Sequence, residues 1–383
     1  MTRQVLLLNS DKPEVLRALA DRTDLRIRVI TRKAYAGLYT GWETAFVDSF
    51  EDLSQVEHAA YELLRGGPFD HVVATTEKSI VPAGLIRSLL GLPGATFDQS
   101  LWAAHKRAMK ARLRSAGLPV ADFEQAATVD GIPHAARRIG WPVMVKPVFG
   151  SGSKCTYRLD TEAEFTDRQR SGGFDDLAAR RVPIQVERLV DFLGEYHCDG
   201  VVRGGRVELA AVSRYFIPPL HTPAAYNSGY VIAQDSPFAE KVLALHAEAA
   251  RALELADGVT HLEVFETADG PVIGEVAIRP GGLGISGMWR HAFGVDLWEQ
   301  FVRAALDEPS GLAARPHRQG TVGRTQLPAR EGVRERALAM PGVIEALSAE
   351  QSGTGNVEVY FAAPGPEEAH RMIDRLHTLG EPQ

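Results

Sequence analysis

The sequence is poor in cysteine: Cys155 and Cys198 are the only two in 383 residues. A disulfide framework is therefore excluded as the source of stability, and a reducing cytoplasm is the expected setting. Positive charge is not in excess either. The net charge is −7, with no block of like charge, so the chain offers no basic footprint for a nucleic-acid backbone. No stretch approaches the roughly 18 consecutive apolar residues that mark a membrane-spanning helix. The opening residues MTRQVLLLNSDK hold only the short apolar run Val5–Leu8. A secretory signal needs a longer run and a small-residue cleavage site, so this one reads as a first strand. Two nucleotide signatures are also missing. Asn9-Ser10-Asp11 follows that strand where GxGxxG would be required, and GxxxxGK[ST] is absent.

What is present is a globular composition, 45% hydrophobic and 24% charged with 36 Gly and 22 Pro, at a length that predicts two to three domains. Over the first hundred residues strand patterns (Val5–Asn9, Arg26–Ile30, Thr44–Val47, His71–Ala74) alternate with helical ones (Lys12–Ala20, Leu53–Leu64, Ser79–Leu90). That alternation predicts a small doubly wound parallel sheet. A helix over Ser100–Ser115 should stop at Ala116-Gly117-Leu118-Pro119. An α+β region follows, with strands at Tyr196–Val202, Val207–Tyr215, Thr260–Glu266 and Pro271–Ala277. Pro309–Gln319 reads as a linker into a lobe with strand Val357–Ala362 and helix Pro366–Thr378.

Three segments carry chemistry. In Trp141-Pro-Val-Met-Val-Lys146-Pro-Val-Phe-Gly150-Ser-Gly152-Ser153-Lys154 an apolar strand delivers Lys146 and a Gly/Ser turn follows. Glycines let backbone N–H groups approach an anion, and lysine adds a point charge. The same pattern also fits a plain hairpin turn. In Ile184-Gln-Val-Glu187-Arg188-Leu189-Val190, Glu195 comes eight residues after Glu187. Backbone there suits an adenine edge and a carboxylate suits ribose hydroxyls; two solvated glutamates would look alike. In His261-Leu-Glu263 through Asp269-Gly270 to Glu275-Val-Ala-Ile-Arg279-Pro-Gly281-Gly282, a hairpin brings two carboxylates near one another. Alternation puts Glu275, Ala277 and Arg279 on one face. Paired carboxylates in an apolar hairpin repel unless a cation joins them, and hard oxygen ligands suit Mg²⁺. Arg279 can meet a carboxylate or phosphate bidentately, and Gly281-Gly282 permits close backbone approach. His197, His221, His261 and His291 share no metal-ligand spacing and read as packing or surface histidines. His291, just after the glycine pair, is the exception that could line a substrate pocket. Tyr215–Tyr230, with three prolines, fits either a substrate loop or an irregular connection.

In this order, from His105-Lys106-Arg-Ala-Met-Lys110 to Arg279-Pro-Gly-Gly282, the segments resemble the ATP-grasp superfamily. The RPGG ending is similar to the carboxylate–amine ligase branch that includes bacterial L-amino-acid ligases. The resemblance implies a mixed α/β and α+β architecture: an N-terminal doubly wound parallel-sheet domain (1–97), a linker helix and lid subdomain (98–190), a catalytic subdomain (191–310) and a small C-terminal α+β lobe (311–383). It implies ATP and Mg²⁺ as cofactors, Mn²⁺ substituting, with small-molecule carboxylate and amine substrates and a homodimer. It assigns Lys106 and Lys146 to the phosphates, Gly152 and Ser153 to the lid, Glu187, Arg188, Leu189 and Val190 to the adenine hinge, and Glu195 to the ribose. Glu263 and Glu275 become metal ligands, Arg279 the arginine that stabilises an acyl phosphate, and Gly281, Gly282 and His291 neighbours of the substrate. The expected reaction is amide formation through an acyl phosphate, releasing ADP and phosphate. Alternatives are another acceptor (thiol, bicarbonate or a purine-pathway intermediate) or a non-catalytic nucleotide-binding protein. The sequence departs from the pattern at Ala277, where many relatives carry Asn, at His105 before the first lysine, and at Lys154-Cys155 in the lid.

Overall fold

The structure, a computed structural model, describes residues 2–9, 12–150, 152–222, 224–312 and 320–381. Strands β1 (Arg3–Leu8), β2 (Leu25–Arg32), β3 (Glu43–Val47) and β4 (His71–Ala74) form a parallel sheet in the order β3-β2-β1-β4. β1 is a continuous apolar run because both faces are covered. Leu6, Leu8 and Val72 pack under helices Leu53–Leu64 and Glu77–Leu90. Val5, Leu7 and Val73 pack with Leu297, Trp298 and Phe301 of the much later helix Leu297–Ala305. A segment nearly three hundred residues on thus completes the first layer.

A second sheet, antiparallel, contains β5 (Phe123–Ala126), β6 (Val143–Pro147), β7 (Tyr157–Leu159) and β8 (Ile184–Arg188) in the order β5-β8-β6-β7. The third is the largest: β9 (Gly194–Arg203), β10 (Arg206–Tyr215), β11 (Ser228–Val231), β12 (Gly258–Thr267), β13 (Gly270–Ala277), β14 (Thr321–Pro328), β15 (Val343–Leu347) and β16 (Asn356–Ala363). Its order is β13-β12-β9-β10-β11-β14-β16-β15. The C-terminal strands are continuous with it, since β14 pairs with β11 through Ser228↔Thr325 and Gly229↔Arg324. One face of this sheet is apolar: Cys198, Val212, Leu262, Val264 and Val276 pack under helices Lys106–Ser115 and Pro237–Ala252. The opposite face carries the charged side chains of the alternation and looks into a cleft.

The helix expected over Ser100–Ser115 is two helices, Phe97–Ala104 and Lys106–Ser115. His105 leaves the helical region (φ −95°, ψ 105°), and its Nδ1 accepts from the Ala108 N–H as an N-cap. The break frees the Lys106 N–H to donate to the Val148 carbonyl, tying the helix start to the end of β6. Part of the Pro309–Gln319 linker lies outside the described residues.

Candidate active site

A cavity of about 1780 Å³ lies between the three sheets, and nearly every residue singled out above lines it. This exceeds the roughly 300–1,000 Å³ of a single-ligand pocket, leaving room for a nucleotide and further small molecules. No described helix is long and apolar enough to cross a membrane.

The two carboxylates face each other. Glu263 of β12 is directly opposite Glu275 of β13, while the next pair is Val264↔Ile273, so Gly274 is an extra residue on β13. Without that bulge Glu263 would oppose Gly274, and Glu275 would point into the apolar layer. The bulge restores it to the cleft face. Lys106 Nζ donates to Glu275 Oε1 (2.7 Å) and to the Gly150 carbonyl (2.7 Å). Burial opposes ionisation of Glu263, but His261, then Lys146 and Lys106, hold it below the usual carboxylate range. Burial and repulsion from Glu263 push Glu195, on the neighbouring strand, up to about 8. Two facing carboxylates attended by protein cations are a donor set that fits a divalent, oxygen-preferring ion.

Lys146 and Glu187 are paired rather than independent. Lys146 Nζ lies 3.0 Å from Glu187 Oε1, and Lys110 Nζ, which the sequence reading leaves without a role, lies 3.2 Å from Oε2. Burial alone would raise the Glu187 pKa, but the two lysines outweigh it and hold the carboxyl at about 2. Lys110 falls one helical turn after Lys106, and that i, i+4 spacing is the signal that could have found it. Because the folded pKa is depressed from 4.5, the stabilisation is complete above about pH 4.5 and is lost as pH falls toward 2. Glu187→Gln should therefore cost about 3–5 kcal/mol at neutral pH by stranding two buried ammonium groups. The melting-temperature gap to the parent should narrow below about pH 4.5; a gap constant from neutral pH into acid would refute the pairing.

In the hinge, Leu189 N–H is already given to the Pro142 carbonyl (2.9 Å), so Leu189 can offer a nucleotide only its carbonyl and side chain; Arg188 is exposed and Val190 half-buried. Gly152 (φ +68°) and Ser153 (φ +55°) turn the lid backbone left-handed above the cavity. Arg279 is held by a partner outside the proposed motifs: its Nε is 2.9 Å from Oε1 of Glu77, at the start of helix Glu77–Leu90. Gly281 packs so tightly on His261 that an added Cβ would sit 2.8 Å from Nδ1, whereas Gly282 is open. His291 is not among the cavity-lining residues; its Nε2 pairs with Glu345 (2.9 Å) and its ring packs on Tyr360, and Arg290 faces the cavity instead. A helix turns 100° per residue, which a linear reading does not resolve.

The histidines read as unrelated are partly related. His197 Nδ1 and His261 Nδ1 contact the two oxygens of buried Asp199 at 2.6 and 2.8 Å. Burial lowers the His261 pKa, but Asp199 and Glu263 outweigh it and lift it to about 9. His261 Nε2 is 3.7 Å from Glu263 Oε1. Since both Asp199 oxygens are occupied, the triad acts as a buried support behind Glu263. His221, Pro218 and Leu220 of the 215–230 segment do line the cavity.

Three sheets closing on a cleft with paired carboxylates, flanking lysines and left-handed turn residues Gly152 and Ser153 define a protein class. Residues 111–291 match the ATP-grasp domain family. The chain is 36% identical to an L-arginine-specific L-amino acid ligase of Bacillus subtilis over 337 residues, 86% of this chain and 81% of that protein. Its fold is similar to the crystal structure of an L-amino acid ligase from Bacillus licheniformis (TM-score 0.76, 18% identity, 98% of this chain and 96% of the other). It is equally similar to carboxyaminoimidazole ribonucleotide synthase from Aspergillus clavatus complexed with ATP (TM-score 0.76, 18% identity, 99% and 98%). The chain belongs to the ATP-grasp superfamily. It is an ATP-dependent, ADP-forming ligase that joins a carboxylate to an amine.

Proposed function

We propose that this ligase couples two amino acids, at least one of them basic, through an acyl phosphate. The observation that carries the reading is the Glu263–Glu275 pair facing one cleft with Lys106, Lys146 and Arg279. Glu263 and Glu275 would hold Mg²⁺, which supplies positive charge against the phosphates of ATP. Lys106 and Lys146 bind phosphate oxygens, and Arg279 steadies the phosphoryl group as the substrate carboxylate attacks γ-phosphorus in line and the bond to the β–γ bridging oxygen breaks, releasing ADP. Lid residues Gly152 and Ser153 close over the triphosphate and keep water from the acyl phosphate. Glu187 to Val190 frame adenine, Glu195 the ribose. The amine then attacks the activated carbonyl, forming the amide bond and expelling phosphate.

Support for a basic substrate comes from the arginine-specific relative and from Glu14, Asp296 and Glu299 along the cavity. A cytoplasmic, homodimeric enzyme completes the reading on family resemblance. The test is phosphate release with Mg·ATP against pairs of amino acids. Release that requires both partners, with a dipeptide product by mass, is the expected result. Release driven instead by an amino-imidazole ribonucleotide with bicarbonate would overturn it.

A further inference from the structure

Arg324 is fully buried on β14, and among the described residues no carboxylate stands within ion-pairing distance of it. Among the described residues its hydrogen-bond acceptors belong to Asn227: Nη2 donates to Oδ1 at 2.7 Å and Nη1 to the backbone carbonyl at 3.4 Å. Nε, buried, has no partner among the described residues. Guanidinium offers five N–H donors, so an edge that includes Nε remains open, and both Arg324 and Asn227 line the cavity. The other fully buried arginine, Arg28, makes a useful contrast. Its Nε, like that of Arg324, has no partner among the described residues, but it donates to the Leu63, Gly67 and Pro68 carbonyls, lies over the Phe69 ring, and does not line the cavity. Arg28 is a structural staple held by three carbonyls; Arg324 has a single neighbour for acceptor, no direct ion pair among the described residues, and a place at the cavity wall.

An unpaired buried cation costs several kcal/mol unless an anion joins it. Among the described residues Glu358 and Asp199 attract Arg324, but from beyond ion-pairing distance. Glu358 on adjacent β16 is hydrogen-bonded by Tyr360 (2.6 Å), and burial raises its pKa. The Glu358 carboxylate is also pressed against Gly284, where an added Cβ would lie 1.2 Å from Oε1.

We infer that Arg324, with Asn227 orienting it, is the receptor for the carboxylate of the amino acid that serves as amine acceptor. The inference rests on the function proposed above and names the group that fixes acceptor class. Position distinguishes this carboxylate from the activated one. β14 lies four strands from β12 in the sheet, on the order of 19 Å at about 4.8 Å per strand, whereas Arg279, Lys146 and the carboxylate pair gather at the β12–β13 end. A carboxylate bound at Arg324 is a spectator of phosphoryl transfer. It anchors the acceptor so that its amine points back along the sheet toward the acyl phosphate. An amine without a carboxylate would leave the guanidinium buried and unpaired, and so be rejected.

The test is calorimetric binding of the common amino acids in the presence of Mg·ADP, repeated with the carboxamide of each one that binds. Acceptor kcat/KM is then measured for acid and amide. The parent enzyme should prefer acid over amide by at least about 100-fold, the scale of a charge-assisted bidentate contact that the amide cannot make. In Arg324→Met that preference should collapse to within about threefold, with ATP KM unchanged, and Arg324→Lys should recover part of it. Acid and amide handled equally by the parent overturn the assignment even if no variant folds; so does an undiminished preference in a folded Arg324→Met. If no amino acid binds at all, the proposed substrate class falls with it.

Discussion

Glu275→Gln should leave a folded protein that binds nucleotide yet forms ADP at a rate lower by on the order of 10³, with both substrates saturating. The substitution preserves shape and removes one charge at the point where Glu275 opposes Glu263 across the β12–β13 ladder. Removing that charge weakens the site for a divalent ion, since a Mg²⁺ site relies on one or two carboxylates. It also strips Lys106, whose Nζ lies 2.7 Å from Glu275 Oε1, of its anionic partner. The expected signature is a large rise in the Mg²⁺ concentration needed for any residual turnover, in a protein that still unfolds cooperatively. Normal turnover at ordinary Mg²⁺ would remove Glu275 from the metal-binding role.

Arg279→Lys is the second large effect. Arg279, which lines the cavity, uses Nε on Glu77 and Nη1 on the Pro280 carbonyl, and these two contacts fix the plane of the guanidinium. Lysine retains the charge but cannot hold Glu77 and a phosphoryl group together, because an ammonium is a point charge rather than a planar fork. The loss expected in kcat is about 10²–10³, with the KM for ATP little changed. Glu77→Gln should reproduce a smaller part of it, since that variant loosens the orientation of Arg279 without removing the group. A kcat in Arg279→Lys within a few-fold of the parent would mean that positive charge alone suffices there.

Much of this was legible beforehand because it is local. Strand alternation placed Val276 and Ile278 away from Glu275 and Arg279, and the structure agrees: Val276 is in the core and Arg279 lines the cleft. The limits of Leu53–Leu64 follow from the Asp52 cap and the apolar spacing, and helix and prediction coincide. What failed was of longer range. His105 looks like one more helical residue, yet it ends one helix and caps the next, because the Lys106 N–H gains the Val148 carbonyl in return. His291 looks like a pocket residue from its distance to the glycines, but it lies on the helix Ile285–Phe293 and Glu345 of β15 claims it.

By itself, then, the chain determined its strands, its glycine turns and which residue types would meet an anion, since these depend on neighbours a few positions away. Tertiary structure alone decided the pairings of charge. The Gly274 bulge turned Glu275 to face Glu263; Lys110 and Lys146 converged from different elements on Glu187; Glu77 reached Arg279 across two hundred residues; and Arg324 was buried beside Asn227 at the cavity wall. Coulomb energy depends on separation in space and on burial, and neither can be read from position along the chain.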